Sequence, residues 1–337
     1  MTNSPLTFGY LYDFRNPSQW QRRWEDVYAE TLDFIAWTET AGFDGAWVPE
    51  HHLSPDGYMP SPLVALSAIA ARTSKLRIGS GVALAPLYDP VRFAQDCAVL
   101  NIIAGGRLEM ALAIGYRRRE YAAYGLKFSE RGARFDEFLE IVTRLWAGEE
   151  VTFSGRFFQI EAARLSPGPQ GPIPLHIGGF VDKALDRVAR FGDGYYGNTE
   201  FADTYIEKLK LHGKDPASAR VMVPGLLIAV AEDPEAAMDD LGPHYHHLNN
   251  VYGAWMEEDK KLGIADATLA EMDFASFRTS GILKILRPGE AIDMFRAMKA
   301  KTPALDHFMM CLPPGMAPDR FRPYAELFAR EVIPAFS

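Results

Sequence analysis

Glu50-His51-His52 sets one carboxylate and two imidazoles side by side after the apolar run Ala46-Trp47-Val48-Pro49. Imidazole titrates close to working pH, so a histidine in such a place can take up or release a proton during a reaction. His51 is the candidate acid–base residue, with Glu50 orienting its neighbourhood. An imidazole that merely hydrogen-bonds at a strand end is the plainer alternative. No metal centre is expected. Neighbouring side chains on an extended chain point to opposite faces, and the triplet is neither the helical H-E-x-x-H nor an alternating H-x-H arrangement.

Three further segments offer backbone or cationic chemistry. Gly81 stands between Ser80 and Val82 inside a strand-like run, where glycine marks a bulge, a close ligand approach or a tight barrel layer. His176-Ile177-Gly178-Gly179-Phe180 leads into a helical pattern from Val181 to Phe191. The free N–H groups of such a junction suit a phosphate as well as a plain turn. In Gly115-Tyr116-Arg117 a guanidinium could clamp a phosphate or carboxylate, while Arg118 and Arg119 are expected in solvent beside Glu120. These eleven positions are the candidate cofactor-binding residues. Pro243-His244-Tyr245-His246-His247 has no acidic or thiol partner at ligand spacing and reads as a solvated or interface loop. Cys97 and Cys311 read as small buried residues.

Such residues need elements to position them. Eight short β-rich runs alternate with helical patterns: Leu6–Asp13, Gly45–Glu50, Leu76–Leu84, Arg107–Gly115, Pro174–Gly179, Gly194–Asn198, Val221–Ala231 and Ala304–Leu312. The clearest helix puts Phe135, Phe138, Leu139, Val142, Leu145 and Trp146 on one stripe. Eight β-then-α units predict a (β/α)8 TIM barrel forming a single domain over 1–337, with a doubly wound open sheet as the alternative. In a barrel the active site lies at the C-terminal strand ends. The residues singled out above close strands two to five and so share one rim. Two insertions are expected, a hairpin over about 149–174 and a lid-like segment over about 241–280.

Composition narrows the function classes. The 337 residues are 48% hydrophobic and 23% charged, with a net charge of −9. An acidic chain without a concentrated basic face is not expected to bind nucleic acid. The start MTNSPLTFGY has no signal-peptide pattern, and no apolar run approaches 18 residues. A cytoplasmic protein without membrane or disulfide dependence is expected.

The segment from Ala41 to His52, AGFDGAWVPEHH, resembles the second-strand signature of the bacterial-luciferase-like flavin-dependent oxidoreductases. Further matches follow in order: Leu76–Tyr121, PLHIGGF at Pro174–Phe180, RFGDGY at Arg190–Tyr195 and ELFAREVIP at Glu326–Pro334. The resemblance implies a flavin across the C-terminal rim, a non-prolyl cis peptide at Gly81-Val82 and His51 as the catalytic histidine. Bacterial luciferase holds the flavin phosphate with an arginine where this chain has Ile114, so Arg117 or the Gly178-Gly179 amides would have to substitute. Its carboxylate–serine pair after strand five is replaced by glycines here. The implied activity is a monooxygenase using O2 and reduced FMN, delivered by an NAD(P)H-dependent flavin reductase. Hydride transfer with the deazaflavin F420, or a non-catalytic flavin-binding subunit of a heterodimer, are the alternatives. The family also implies a homodimer through early helices. Phe8, Tyr10, Tyr12, Phe14, Tyr58 and Tyr116 are expected at the rim and suggest a hydrophobic substrate.

Overall fold

The computed structural model describes residues 5–225, 227–261 and 269–337. In chain order the first half runs β1 (Thr7–Leu11), α1 (Trp24–Ala41), β2 (Gly45–Val48), α2 (Pro62–Arg72), β3 (Arg77–Leu84), α3 (Pro90–Ile103) and β4 (Leu108–Ala113), followed by α4 (Arg118–Ala123) and α5 (Arg131–Trp146). A hairpin of β5 (Val151–Ser154) and β6 (Gln159–Ala163) precedes β7 (Leu175–Gly178), α6 (Asp182–Phe191), β8 (Gly194–Tyr196), α7 (Ala202–Leu211) and β9 (Val221–Gly225). The last part comprises β10 (Ile228–Val230), α8 (Pro234–Lys261), α9 (Phe274–Thr279), β11 (Lys284–Leu286), α10 (Pro288–Lys301), β12 (Leu305–Cys311) and α11 (Pro318–Glu331).

Eight of these strands close a barrel in the order β1-β12-β9-β8-β7-β4-β3-β2. The expected (β/α)8 barrel is therefore present, and closure removes the open-sheet alternative. Side chains alternate across each strand, so one set fills the interior and the other packs beneath the helices. Leu11, Trp47, Ala111, Tyr196, Met222 and Met309 form the inner cluster. The stripe on α5 (Phe135, Phe138, Leu139, Val142 and Leu145) is buried in the outer layer.

The insertion at 149–174 is the antiparallel β5–β6 hairpin, as its alternation suggests. The run Val221–Ala231 differs from expectation, because it is two strands. β9 stays in the barrel, whereas β10 leaves it and pairs in parallel with β11. Pro224 has no N–H to continue the ladder, and a Cβ on Gly225 would stand 2.1 Å from the Phe308 ring. The second insertion is mostly α8, which begins earlier than expected, and residues 262–268 of it lie outside the described residues. No described helix is long and apolar enough to cross a membrane.

The N-terminal end of the barrel is closed by charge. Arg77 donates to both oxygens of Glu109 at 2.7 and 3.0 Å, and Arg220 donates to Asp306 at 2.8 Å. His176 belongs to this plug and not to the cofactor rim, a correction to its expected role. It is fully buried at the start of β7, with Nε2 2.9 Å from Glu109 Oε2. Its alternation along β7 sends it into the barrel one layer too low.

Candidate active site

β2 ends at Val48, and the chain then runs along the C-terminal rim. His51 is 7% exposed, and its N–H donates to Met59 O at 3.0 Å, which fixes the loop beneath it. Its Nδ1 lies 3.0 Å from Oε1 of Glu120 on α4. The same oxygen accepts the His52 N–H at 2.9 Å and Arg117 Nη1 at 3.2 Å. Burial alone would raise the Glu120 carboxyl, but the bonds from His51 and the His52 amide, together with Arg117, hold it below the usual range. Burial also lowers the His51 imidazole, against the upward pull of Glu120. A carboxylate facing a neutral imidazole makes Nδ1 the protonated nitrogen. Nε2 is then a lone-pair acceptor that makes no hydrogen bond among the described residues.

Four aromatic rings surround that imidazole. Tyr58 and Trp255 have centroids 4.8 Å from His51, Tyr116 5.7 Å and Tyr252 5.9 Å. They come from the β2–α2 loop, the segment after β4, and α8. Tyr58 and Tyr252 join hydroxyls at 2.8 Å. Of the other expected rim aromatics, Phe8 packs against Phe295 and Phe328 behind the barrel, Tyr10 against Phe43 and Phe321, and Phe14 against Tyr28. Tyr12 bonds Thr38 on α1. These four belong to the core.

Glu50 does not orient His51. It accepts from His52 Nε2 and the Tyr88 hydroxyl, both at 2.8 Å, and from the Leu84 N–H at 2.6 Å. In extended chain residues 50 and 52 share one face and 51 takes the other, so the adjacent carboxylate is out of reach. Glu50 instead ties the β2 loop to the end of β3. Arg117 likewise differs from a phosphate clamp. It is 3% exposed, donates to His52 O at 2.9 Å, and lies 3.9 Å over the Trp255 ring.

The Gly81-Val82 bond is cis, and Tyr196 donates its hydroxyl to Gly81 O at 2.9 Å. Val82 packs on the inner cluster. Ser80 faces away: its hydroxyl donates to Ala111 O at 2.7 Å and accepts the Ala111 N–H, stitching β3 to β4. Ile177 is turned outward into the helix layer. Gly178 faces inward, and a Cβ there would come no nearer than 3.5 Å to Ala113, Tyr196 or Val82, so its bare backbone leaves a shallow cradle at the rim. Gly179 has φ +148, Gly115 has φ +70, and Phe180 is 61% exposed beside Phe201.

A second buried network lies on the β1 side. Arg15 pairs with Asp56 at 2.6 Å and faces Asp13 at 3.9 Å, and Asp56 also meets His247 Nε2 at 3.0 Å. Burial raises Asp13 to about 6, ahead of the lowering influence of Arg15. The histidine cluster of α8 is thus no loop. His244 is buried and stacks on Trp20 at 3.9 Å, His246 bonds Met272 O, and His247 reaches Asp56. The signal was available in Leu241, Tyr245, Leu248, Tyr252 and Trp255, spaced on one helical face, but Gly242-Pro243 obscured it. Glu120 was read only as a charged neighbour of Arg118 and Arg119, and no local pattern marks Arg15, Asp13 or Asp56.

The solved monooxygenase RslO1 from Streptomyces bottropensis superposes with a TM-score of 0.81 at 21% identity, covering 98% of this chain and all of that one. The oxygenase component of the flavin-dependent trigonelline monooxygenase of Acinetobacter baylyi is 24% identical over 338 residues, spanning 94% of this chain and 92% of its own. The F420-dependent glucose-6-phosphate dehydrogenase of Kineococcus radiotolerans is 33% identical over 187 residues, and there the match spans only 52% of this chain and 55% of the relative. The sequence description of luciferase-like monooxygenases matches residues 6–293. With closed barrel, cis Gly81-Val82 bond and rim histidine in place, the chain belongs to the luciferase-like monooxygenase family.

Proposed function

We propose that this protein is a cytoplasmic flavin-dependent monooxygenase that oxidises a small hydrophobic substrate with O2 and reduced FMN. The observation that carries the reading is the buried His51–Glu120 pair, which turns a neutral Nε2 acceptor into an aromatic enclosure at the C-terminal rim. A flavin-dependent relative matches along 94% of the chain, whereas F420-dependent glucose-6-phosphate dehydrogenases match along 48% to 71% of it. That relative is an oxygenase component, which supports a separate NAD(P)H-dependent flavin reductase as partner.

The residues at the rim fit a flavin. Gly178 offers space that a side chain would fill, with Val82 beside it, and the Gly178-Gly179 turn leads into the N-terminus of α6. Reduced FMN, when bound, supplies the electrons that activate O2. His51 Nε2 accepts or returns a proton at the reacting group, and Glu120 holds the ring and its tautomer. Tyr58, Tyr116, Tyr252 and Trp255 exclude water and offer an apolar surface to the substrate. The chain acts as a homodimer through α2 and α3, where Val64 (72% exposed) and Val99 line a surface groove of about 550 Å³.

Equilibrium titration with FMN, anaerobically reduced FMN and F420 tests the cofactor. Tighter binding of reduced than of oxidised FMN supports the reading, and oxidation of substrate by the isolated chain with a reductase excludes a non-catalytic subunit. Tight F420 binding without preference for FMN would replace it with hydride transfer.

A further inference from the structure

Arg117 is buried between two partners of different kind. On one side its Nη1 reaches Glu120 Oε1 at 3.2 Å and His52 O at 2.9 Å. On the other its guanidinium lies 3.9 Å over the indole of Trp255, which α8 brings from 138 positions further along the chain. Such a separation is well inside cation–π range, and the attraction grows when both groups are shielded from water. Trp255 is 7% exposed and Arg117 3%. The indole also stands 4.8 Å from the His51 ring. One residue of α8 therefore touches both the histidine and the cation that shares its carboxylate.

We propose that Trp255 is a positioning residue: it holds the Arg117 guanidinium against Glu120, so that the packing of α8 on the rim sets the proton affinity of His51. Glu120 Oε1 is the shared acceptor of His51 Nδ1–H and Arg117, and each donor draws charge away from the other. With the guanidinium held there, the carboxylate stabilises imidazolium less. With the guanidinium released, the carboxylate serves His51 alone and the ring binds its proton more tightly. The titratable and charged groups around His51 are Glu120 on α4, Arg117 and Tyr116 after β4, Arg15 after β1, Tyr58 before α2 and Tyr252 on α8. Tyr58 and Tyr252 are kept neutral by burial above all, so Glu120, Arg117 and Arg15 are the charges that matter. Arg15 is matched by Asp56. Arg117 is the cation whose placement depends on the indole.

The role in turnover rests on His51 as the acid–base group, but the primary readout does not. That readout is the NMR titration of the His51 imidazole in the full chain, assigned by its loss in His51→Gln. Trp255→Leu keeps apolar cover without a π face, and Trp255→Phe keeps a face. The expected result is an upward move of the His51 midpoint in Trp255→Leu, a smaller one in Trp255→Phe, and an upward move in Arg117→Gln. In the double variant Trp255→Leu/Arg117→Gln the tryptophan change adds little to the arginine change, because both act through one contact. Additive shifts, or a midpoint unmoved in Trp255→Leu while Arg117→Gln moves it, would overturn the proposal. If the midpoint moves as expected while kcat/KM keeps its pH profile, the positioning stands and the assignment of His51 as the acid–base group falls.

Discussion

His51 Nδ1 lies 3.0 Å from Oε1 of Glu120, 69 residues away in the chain, while the adjacent Glu50 is bonded to His52. The pair forms because α4 follows β4 at the rim and β4 neighbours β3, which neighbours β2 in the barrel. A barrel lets loops after non-consecutive strands meet over one opening.

Replacing Glu120 by Gln keeps an acceptor for Nδ1–H and removes the charge. Burial lowers the His51 imidazole and Glu120 raises it, so without that charge the imidazole falls further. His51 works as a base when deprotonated, so the acid limb of kcat/KM should move to lower pH. The loss of charge support for the imidazolium should lower kcat/KM by about ten- to a hundredfold. A pH–rate profile of the variant against the wild type checks both.

Asp13 has its carboxyl raised by burial to about 6. For a raised carboxyl the contribution to stability is present below the unfolded value and lost as pH rises through the folded one. Asn mimics the protonated form without titrating. The stability of Asp13→Asn relative to wild type should therefore increase by about 3 kcal/mol between roughly pH 4 and 7. Urea unfolding at a series of pH values measures it, and a difference independent of pH contradicts the assignment.

Gly178 and Gly179 should fail differently. At Gly178 a Cβ has room, so Gly178→Ala should leave stability nearly unchanged, while Gly178→Leu fills the rim and should abolish flavin binding with the fold retained. Gly179 has φ +148 and a Cβ there would meet Ala184 at 2.5 Å. Gly179→Ala should cost about 1–3 kcal/mol in stability. Thermal melts combined with flavin fluorescence titrations separate the two outcomes.

Val64→Glu and Val99→Glu place charge on the exposed valines of the groove between α2 and α3. A homodimer using this surface should dissociate to monomer in sedimentation velocity, with each protomer still folded by circular dichroism. Wild-type protein that sediments as a monomer would remove this interface.

The barrel was readable because strand and helix periods are local. A run such as Leu76–Leu84 or the stripe on α5 records on each side which face is buried. Local rules also misled at instructive points. Val221–Ala231 looked continuous because the apolar residues on both sides of Pro224-Gly225 suit a strand, yet the barrel ladder stops at Gly225 and the chain resumes as β10. His176 was grouped with its glycine neighbours, although alternation sends it down to Glu109. The histidines of α8 looked solvated because Gly242-Pro243 interrupts the pattern that buries His244.

The amino-acid sequence by itself determined the alternating β/α order, the hairpin at 149–174, the rim position of His51 and Gly178-Gly179, and the cis bond site at Gly81-Val82 through its family resemblance. The tertiary structure alone decided which groups meet there: Glu120 rather than Glu50 at His51, Trp255 over Arg117, and Asp56 between Arg15 and His247. Periodicity is a property of neighbours along the chain, whereas a charge partner is chosen by burial, where any group left unmatched is costly. The residue that meets this need is the one barrel closure brings within 3 Å, however far away it lies in sequence.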